Sequence, residues 1–179
     1  MKSTIQMQSI VLIAMAALSL SFCKSKQTAE RGGPSVPSVD TTAIIRGINQ
    51  ALDGMGSYSP EDKGYAYKQT AAGNFASWAD KNKENIEKAL NQVPAGFVLQ
   101  VTGHTCSIGP RDAMDGKRGN IWYATERARN IYEELKAKGV PSDKMVYKGI
   151  ADDEPLPDLD TTDQRNRRVS FKIVPAAGM

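Results

Sequence analysis

The chain is poor in the residues that build metal and disulfide sites: two cysteines and one histidine in 179 residues. Two cysteines cannot form a disulfide scaffold. A zinc site needs three or four ligands, which one histidine and two cysteines hardly supply. Charge of one sign is also missing. Lys and Arg number 23 against 20 Asp and Glu, a net +3 that becomes +2 without the first 22 residues, which hold Lys2 and no acid. Such a balance excludes a nucleic-acid stripe or a polybasic membrane patch and reads as a mixed solvated surface. Long apolar runs are absent as well. The longest, Ile10 to Leu20, would reach roughly 17 Å as a helix, too short for a hydrocarbon core of about 30 Å.

That short run follows a polar start with one positive charge at Lys2 and reads as the core of a secretory signal over residues 1–22. It ends Leu20-Ser21-Phe22-Cys23, similar to a lipobox whose cysteine becomes the first mature residue and carries the lipid. Phe22 departs from that pattern, where Gly or Ala is usual. The other readings are an ordinary signal with an incidental cysteine and a membrane-spanning helix. Residues 23–40 are rich in Ser, Gly, Pro and charge. They cannot bury enough surface to offset their ordering entropy and read as a disordered tether. Extended, that tether would span about 50 Å.

Residues 41–63 read as a short amphipathic helix and a turn-rich linker. Ile44, Ile45, Ile48 and Leu52 fall at helical spacing, with Asp40 or Thr41 as N-cap. The helix either packs on the domain or binds a partner. The folded domain is assigned to 64–179. Tyr65 and Tyr67 alternate in a weak strand over 64–68. A helix over 77–93 carries Trp78, Ile86, Ala89, Leu90 and Val93 on one stripe, with Ser77 and Asp80 as a capping box and Pro94 and Gly96 as its stop. Phe97, Leu99 and Val101 alternate in a strand over 96–103 whose mixed second face suits a central position. A Gly- and Pro-broken loop, 105–118, leads to a helix over 119–138 with Ala124, Ala128, Ile131 and Leu135 inward. Strands follow at 144–149 and 167–174, separated by a Pro- and Asp-rich loop at 151–164. The order β-α-β-α-β-β predicts an α/β (α+β) two-layer sandwich of one mixed sheet and helices.

Four pieces between Val98 and Val174 carry a resemblance. They are Val101-Thr102-Gly103-His104-Thr105, then Asn120 to Glu126-Arg127-Ala128, then Lys138-Gly139-Val140-Pro141 running to Met145, then Asn166-Arg167-Arg168-Val169. In this order and spacing they resemble the OmpA-like peptidoglycan-associating domain family, and look closest to OmpA-like surface lipoproteins of leptospires. The resemblance implies an outer-membrane lipoprotein, lipidated at Cys23, whose domain in the periplasm binds the diaminopimelate-type stem peptide of peptidoglycan without covalent chemistry. It implies no enzyme activity, cofactor or metal. The alternative is a surface-exposed or host-interaction lipoprotein with a degenerate domain, with host or envelope proteins as partners.

That family reads an ammonium beside a carboxylate with an acid and a base. The base corresponds to Arg127, which shares a helix face with Asn120 near a helix start that favours anions. A guanidinium grips a carboxylate through two parallel hydrogen bonds. Arg167 is the next candidate. Either arginine could instead serve a structural ion pair. The acid is missing: Cys106 stands in its place, and a thiol is a weak acceptor. Ile108 replaces a small hydroxyl residue, and Ser107 offers a hydroxyl on the other side. Weakened or altered peptidoglycan binding is therefore expected, unless Asp112, Asp115 or Asp163 compensates. His104 with Cys106 lacks the third group and oxyanion motif of a cysteine nucleophile, and His104 is expected in a structural turn. Cys106 is either buried and inert or free to pair between molecules.

Overall fold

The structure, a computed structural model, describes residues 40–176. The signal, lipidation and most of the tether fall outside those residues. Three helices and three strands follow in the order α1 (Thr41–Met55), α2 (Phe75–Gln92), β1 (Phe97–Gly103), α3 (Asn120–Ala137), β2 (Met145–Gly149) and β3 (Val169–Pro175). No helix among the described residues is long and apolar enough to cross a membrane.

The sheet is ordered β2-β1-β3. β1 is central as its two-faced burial demanded, parallel to β2 and antiparallel to β3. Leu99 pairs with Met145 and Ile173, and Val101 with Phe171, so one face is apolar throughout. All three helices lay their stripes on that face: Ile48 and Leu52 from α1, Ile86 and Leu90 from α2, Ala128, Ile131 and Leu135 from α3. Each fully buried Leu or Ile contributes about 1.5–3 kcal/mol. The opposite face carries Lys148, Ser170 and Lys172 beside Gln100 and Thr102. The two-layer mixed sandwich is thus the architecture found.

Two boundaries differ from expectation. No strand forms at 64–68. Tyr65 is instead buried edge-on against Tyr58, and its amide donates to the Arg167 carbonyl at 2.8 Å. The one strand-like contact upstream is a single bridge between Tyr58 and Val169. The alternation of Tyr65 and Tyr67 reflected aromatic packing, with Tyr67 left exposed. Helix α2 starts two residues before Ser77, with Asn74 as N-cap, so Ser77 and Asp80 form no capping box. The amphipathic helix expected within 41–63 is α1, and it packs into the same core as the domain.

The start of α1 follows from Asp40, whose carboxylate accepts from the Thr42 and Ala43 amides. Asn49 then clasps the free edge of β3. Its side-chain amide donates to the Ile173 carbonyl and its oxygen accepts from the Ile173 amide, at 3.2 and 2.7 Å. A sheet edge that would otherwise recruit another strand is closed. At the other end of the sheet, Gly103 and Gly149 pair across β1 and β2 and make a flat seat for α3. A Cβ at Gly103 would stand 1.9 Å from the Ala124 carbonyl oxygen, so only glycine admits the helix there.

Candidate functional site

Because α3 sits directly on the strand ends, its inward arginine faces the turn that follows β1. Arg127 is 1% exposed. Its Nε donates to the Gln69 carbonyl and its Nη1 to the His104 carbonyl, both at 2.9 Å. The guanidinium carbon lies 4.8 Å from the Tyr65 ring centre, a cation–π contact. Nη2 makes no hydrogen bond to a described residue. Burial pulls Arg127 down to about 10, opposed by the Tyr65 hydroxyl and helped by nearby Arg167, and it keeps its charge at neutral pH.

Arg127 lines a cleft of about 80 Å³ together with Thr105, Cys106, Ile108, Asn120 and Arg167. Five of the six residues expected at a site therefore meet: Arg127, Asn120, Cys106, Ile108 and Arg167. Ser107 does not. Its amide and hydroxyl both bond Thr161, away from the cleft. Cys106 is a free, buried thiol. Its sulfur accepts from Arg167 Nη1 at 3.1 Å, and Arg167 Nε donates to the Tyr65 carbonyl at 2.5 Å. Asn120 donates to the Cys106 and Gly109 carbonyls and so ties the loop to the first turn of α3. The helix start is less open than its dipole suggests. The amides of Asn120 and Ile121 donate to the Pro110 and Arg111 carbonyls.

Neither arginine serves an ion pair. No acid lies within salt-bridge distance of Arg127, Arg167 or the equally buried Arg168 among the described residues. The acids proposed as substitutes stand elsewhere. Asp163 is gripped by Arg165 at 3.1 and 2.8 Å, which holds its carboxyl down at about 2. Neither Asp112, Asp115 nor Asp163 lines the cleft. Lys68, Lys117 and Arg118 do, so its walls carry five cations and no carboxylate. A buried cation without a partner is costly unless something anionic arrives to meet it.

His104 is structural. Its Nε2 meets the Ser170 hydroxyl at 2.8 Å and its amide donates to Arg168. Burial, with the Arg168 charge, pushes it down to about 3. No group of three or more metal-ligating side chains occurs among the described residues.

Sequence reasoning missed Lys68, Tyr67 and Thr105, which also line the cleft. Lys117-Arg118 was visible as a basic pair just before α3, whereas Lys68 arrives from a segment about 60 residues upstream of Arg127 and left no local signal. Asn166 was quoted only as part of a motif. Fully buried, it accepts from the Leu156 amide and donates to the Asp160 carbonyl, pinning the 151–164 loop.

No family model matches the sequence and no curated relative does. Among solved structures, the chain is similar to the OmpA-like domain of FopA1 from Francisella tularensis, at 22% identity over 63% of this chain and 70% of that one, TM-score 0.48. It is similar to a putative MotB-like protein from Desulfovibrio vulgaris, at 16% identity over 75% and 98%, TM-score 0.49. It is also similar to the peptidoglycan-associated lipoprotein from Burkholderia pseudomallei, at 13% identity over 62% and 86%, TM-score 0.47.

Proposed function

We propose that this chain is an outer-membrane lipoprotein, anchored through Cys23, whose domain binds the stem peptide of peptidoglycan non-covalently in the periplasm. The anchor and its tether rest on the sequence of residues 1–40 alone. The binding reading rests on the four ordered motifs and on one observation above all: Arg127 lines the cleft, buried without an acid and with its Nη2 unbonded. Two of its donors are spent on backbone carbonyls, which fixes the plane of the guanidinium. What is left is a pre-oriented donor for a carboxylate, with Arg167 close enough to add its own charge.

Each named residue then has a task. Arg127 supplies the charge and the directed hydrogen bond. Asn120 holds the loop that forms the opposite wall. Arg167 fixes the Cys106 sulfur and the Tyr65 backbone around the cleft floor. The test is sedimentation of the full-length chain with purified sacculi. Arg127→Lys keeps a charge but replaces the planar fork by a compact ammonium on one nitrogen, which cannot span both carbonyls and still aim a fixed donor at a carboxylate. It should lose about tenfold or more in binding. Thermal melting confirms that the variant is folded; a folded Arg127→Lys that sediments like wild type overturns the reading.

A further inference from the structure

The cleft's chemistry points to a narrower ligand than a stem peptide in general. A stem peptide offers two kinds of free end. One is the end of a diamino acid, where an ammonium stands beside the carboxylate. The other is an acylated C-terminal residue, which has a carboxylate and no ammonium. We infer that this cleft selects the second kind: a carboxylate on an acylated amino acid with a small apolar side chain. The inference rests on the peptidoglycan reading and specifies which end of the ligand is held.

Four observations carry it. First, the charge in the cleft has one sign. Arg127 and Arg167 are buried there, Lys68, Lys117 and Arg118 join them, and no carboxylate lines the walls to receive an ammonium. Second, the group standing where the acid was expected is already used. Cys106 Sγ, a weak acceptor, takes its bond from Arg167 at 3.1 Å. Third, polar atoms await a partner. Arg127 is 1% exposed with Nη2 unbonded, and Thr105, 3% exposed, buries a hydroxyl with no hydrogen-bond partner among the described residues. Donors of this kind match a carboxylate, which accepts through both oxygens. Fourth, two exposed lining residues are apolar in body. Tyr67 is 58% exposed and Ile108 44%, and both line the cleft. Ile108 in place of a hydroxyl suits a methyl group and offers an ammonium nothing.

A ligand ammonium in this setting is repelled by the two guanidiniums and loses part of its water without compensation. At an effective dielectric near that of a protein surface, such repulsion weakens binding by about tenfold or more. The acylated end suffers no such loss.

The experiment titrates the full-length chain in detergent with three probes: Nα-acetyl-D-alanine, its carboxamide, and free diaminopimelate. Sacculus sedimentation runs in parallel. The expected result is saturable binding of the acetylated acid, at least about tenfold tighter than diaminopimelate, and loss of binding for the carboxamide. Cys106→Asp, which restores an acid to the cleft, should reverse the preference toward diaminopimelate. Diaminopimelate binding as tightly as the acetylated acid overturns the inference while the peptidoglycan reading stands. Binding of the carboxamide equal to the acid also overturns it. Sacculi that sediment the chain while neither acid binds sink the inference alone. Failure of all three probes and of the sacculi sinks both.

Discussion

Replacing Gly103 by alanine tests whether the seat of α3 and the site are one device. The added Cβ would lie 1.9 Å from the Ala124 carbonyl oxygen, 2.7 Å from its carbon and 3.2 Å from the Ala128 amide nitrogen. Ordinary contact between such atoms is roughly 3.5 Å, so α3 must retreat by about 1.5 Å. These are backbone atoms, so no side-chain rotation relieves the clash. Overpacking of this kind costs about 1–3 kcal/mol, and the upper half of that range is expected here. The same retreat stretches the 2.9 Å bond from Arg127 to the His104 carbonyl past hydrogen-bond length. Urea unfolding near neutral pH should therefore show a loss of about 2–3 kcal/mol, and sacculus sedimentation should weaken with it. Gly47→Ala is the control. It lies in α1 with nothing within 4 Å of its Cβ, and it should stabilise by up to about 1 kcal/mol. A Gly103→Ala variant within about 0.5 kcal/mol of wild type and binding normally would refute the reasoning.

Three further outcomes are expected. His104 titrates at about 3 in the fold against 6.5 when free, so the unfolded chain binds the extra proton between those values. Stability is then fully present above pH 6.5 and falls below it, by up to about 1.4 kcal/mol per pH unit; His104→Gln should flatten that slope in urea titrations, and an unchanged slope counts against a buried neutral imidazole. Asn166→Ala frees the Leu156 amide and Asp160 carbonyl and should cost about 1–3 kcal/mol, with limited proteolysis cutting first within 151–164; cleavage elsewhere argues against the clasp. Asn49→Ala opens the edge of β3 at Ile173 and should cost about 1–3 kcal/mol, with faster amide exchange at Ile173 read by hydrogen–deuterium exchange; unchanged protection there contradicts the edge assignment.

Helices were the legible part of this sequence. Ala124, Ala128, Ile131 and Leu135 share a face at fixed spacing, and all four are buried. Period alone sufficed because burial and periodicity coincide on a helix. Arg127 and Asn120 were picked out by the resemblance, and their spacing of seven residues puts them on one helix face. The region before α2 was not. Tyr65 is buried by Tyr58 and by the Arg127 guanidinium, partners distant in sequence, and its alternation with Tyr67 mimicked a strand. The α2 cap was misplaced because Phe75, two residues before Ser77, already belongs to the helix and is buried against Tyr58. The charge of the cleft was hidden as well. Lys68, Lys117, Arg118 and Arg167 come from three separate loops, and no local pattern says that they converge while every acid stays out.

The clasp between Asn49 and Ile173 also has a mechanical meaning. Among the described residues Asp40 comes first and leads at once into α1. With the proposed anchor at Cys23, tension would act along that helix before reaching any strand. Two hydrogen bonds and the burial of Ile48 and Leu52 in the core would carry the first load. Helix α1 is then placed to peel away as a fuse, sparing the sheet and its cleft.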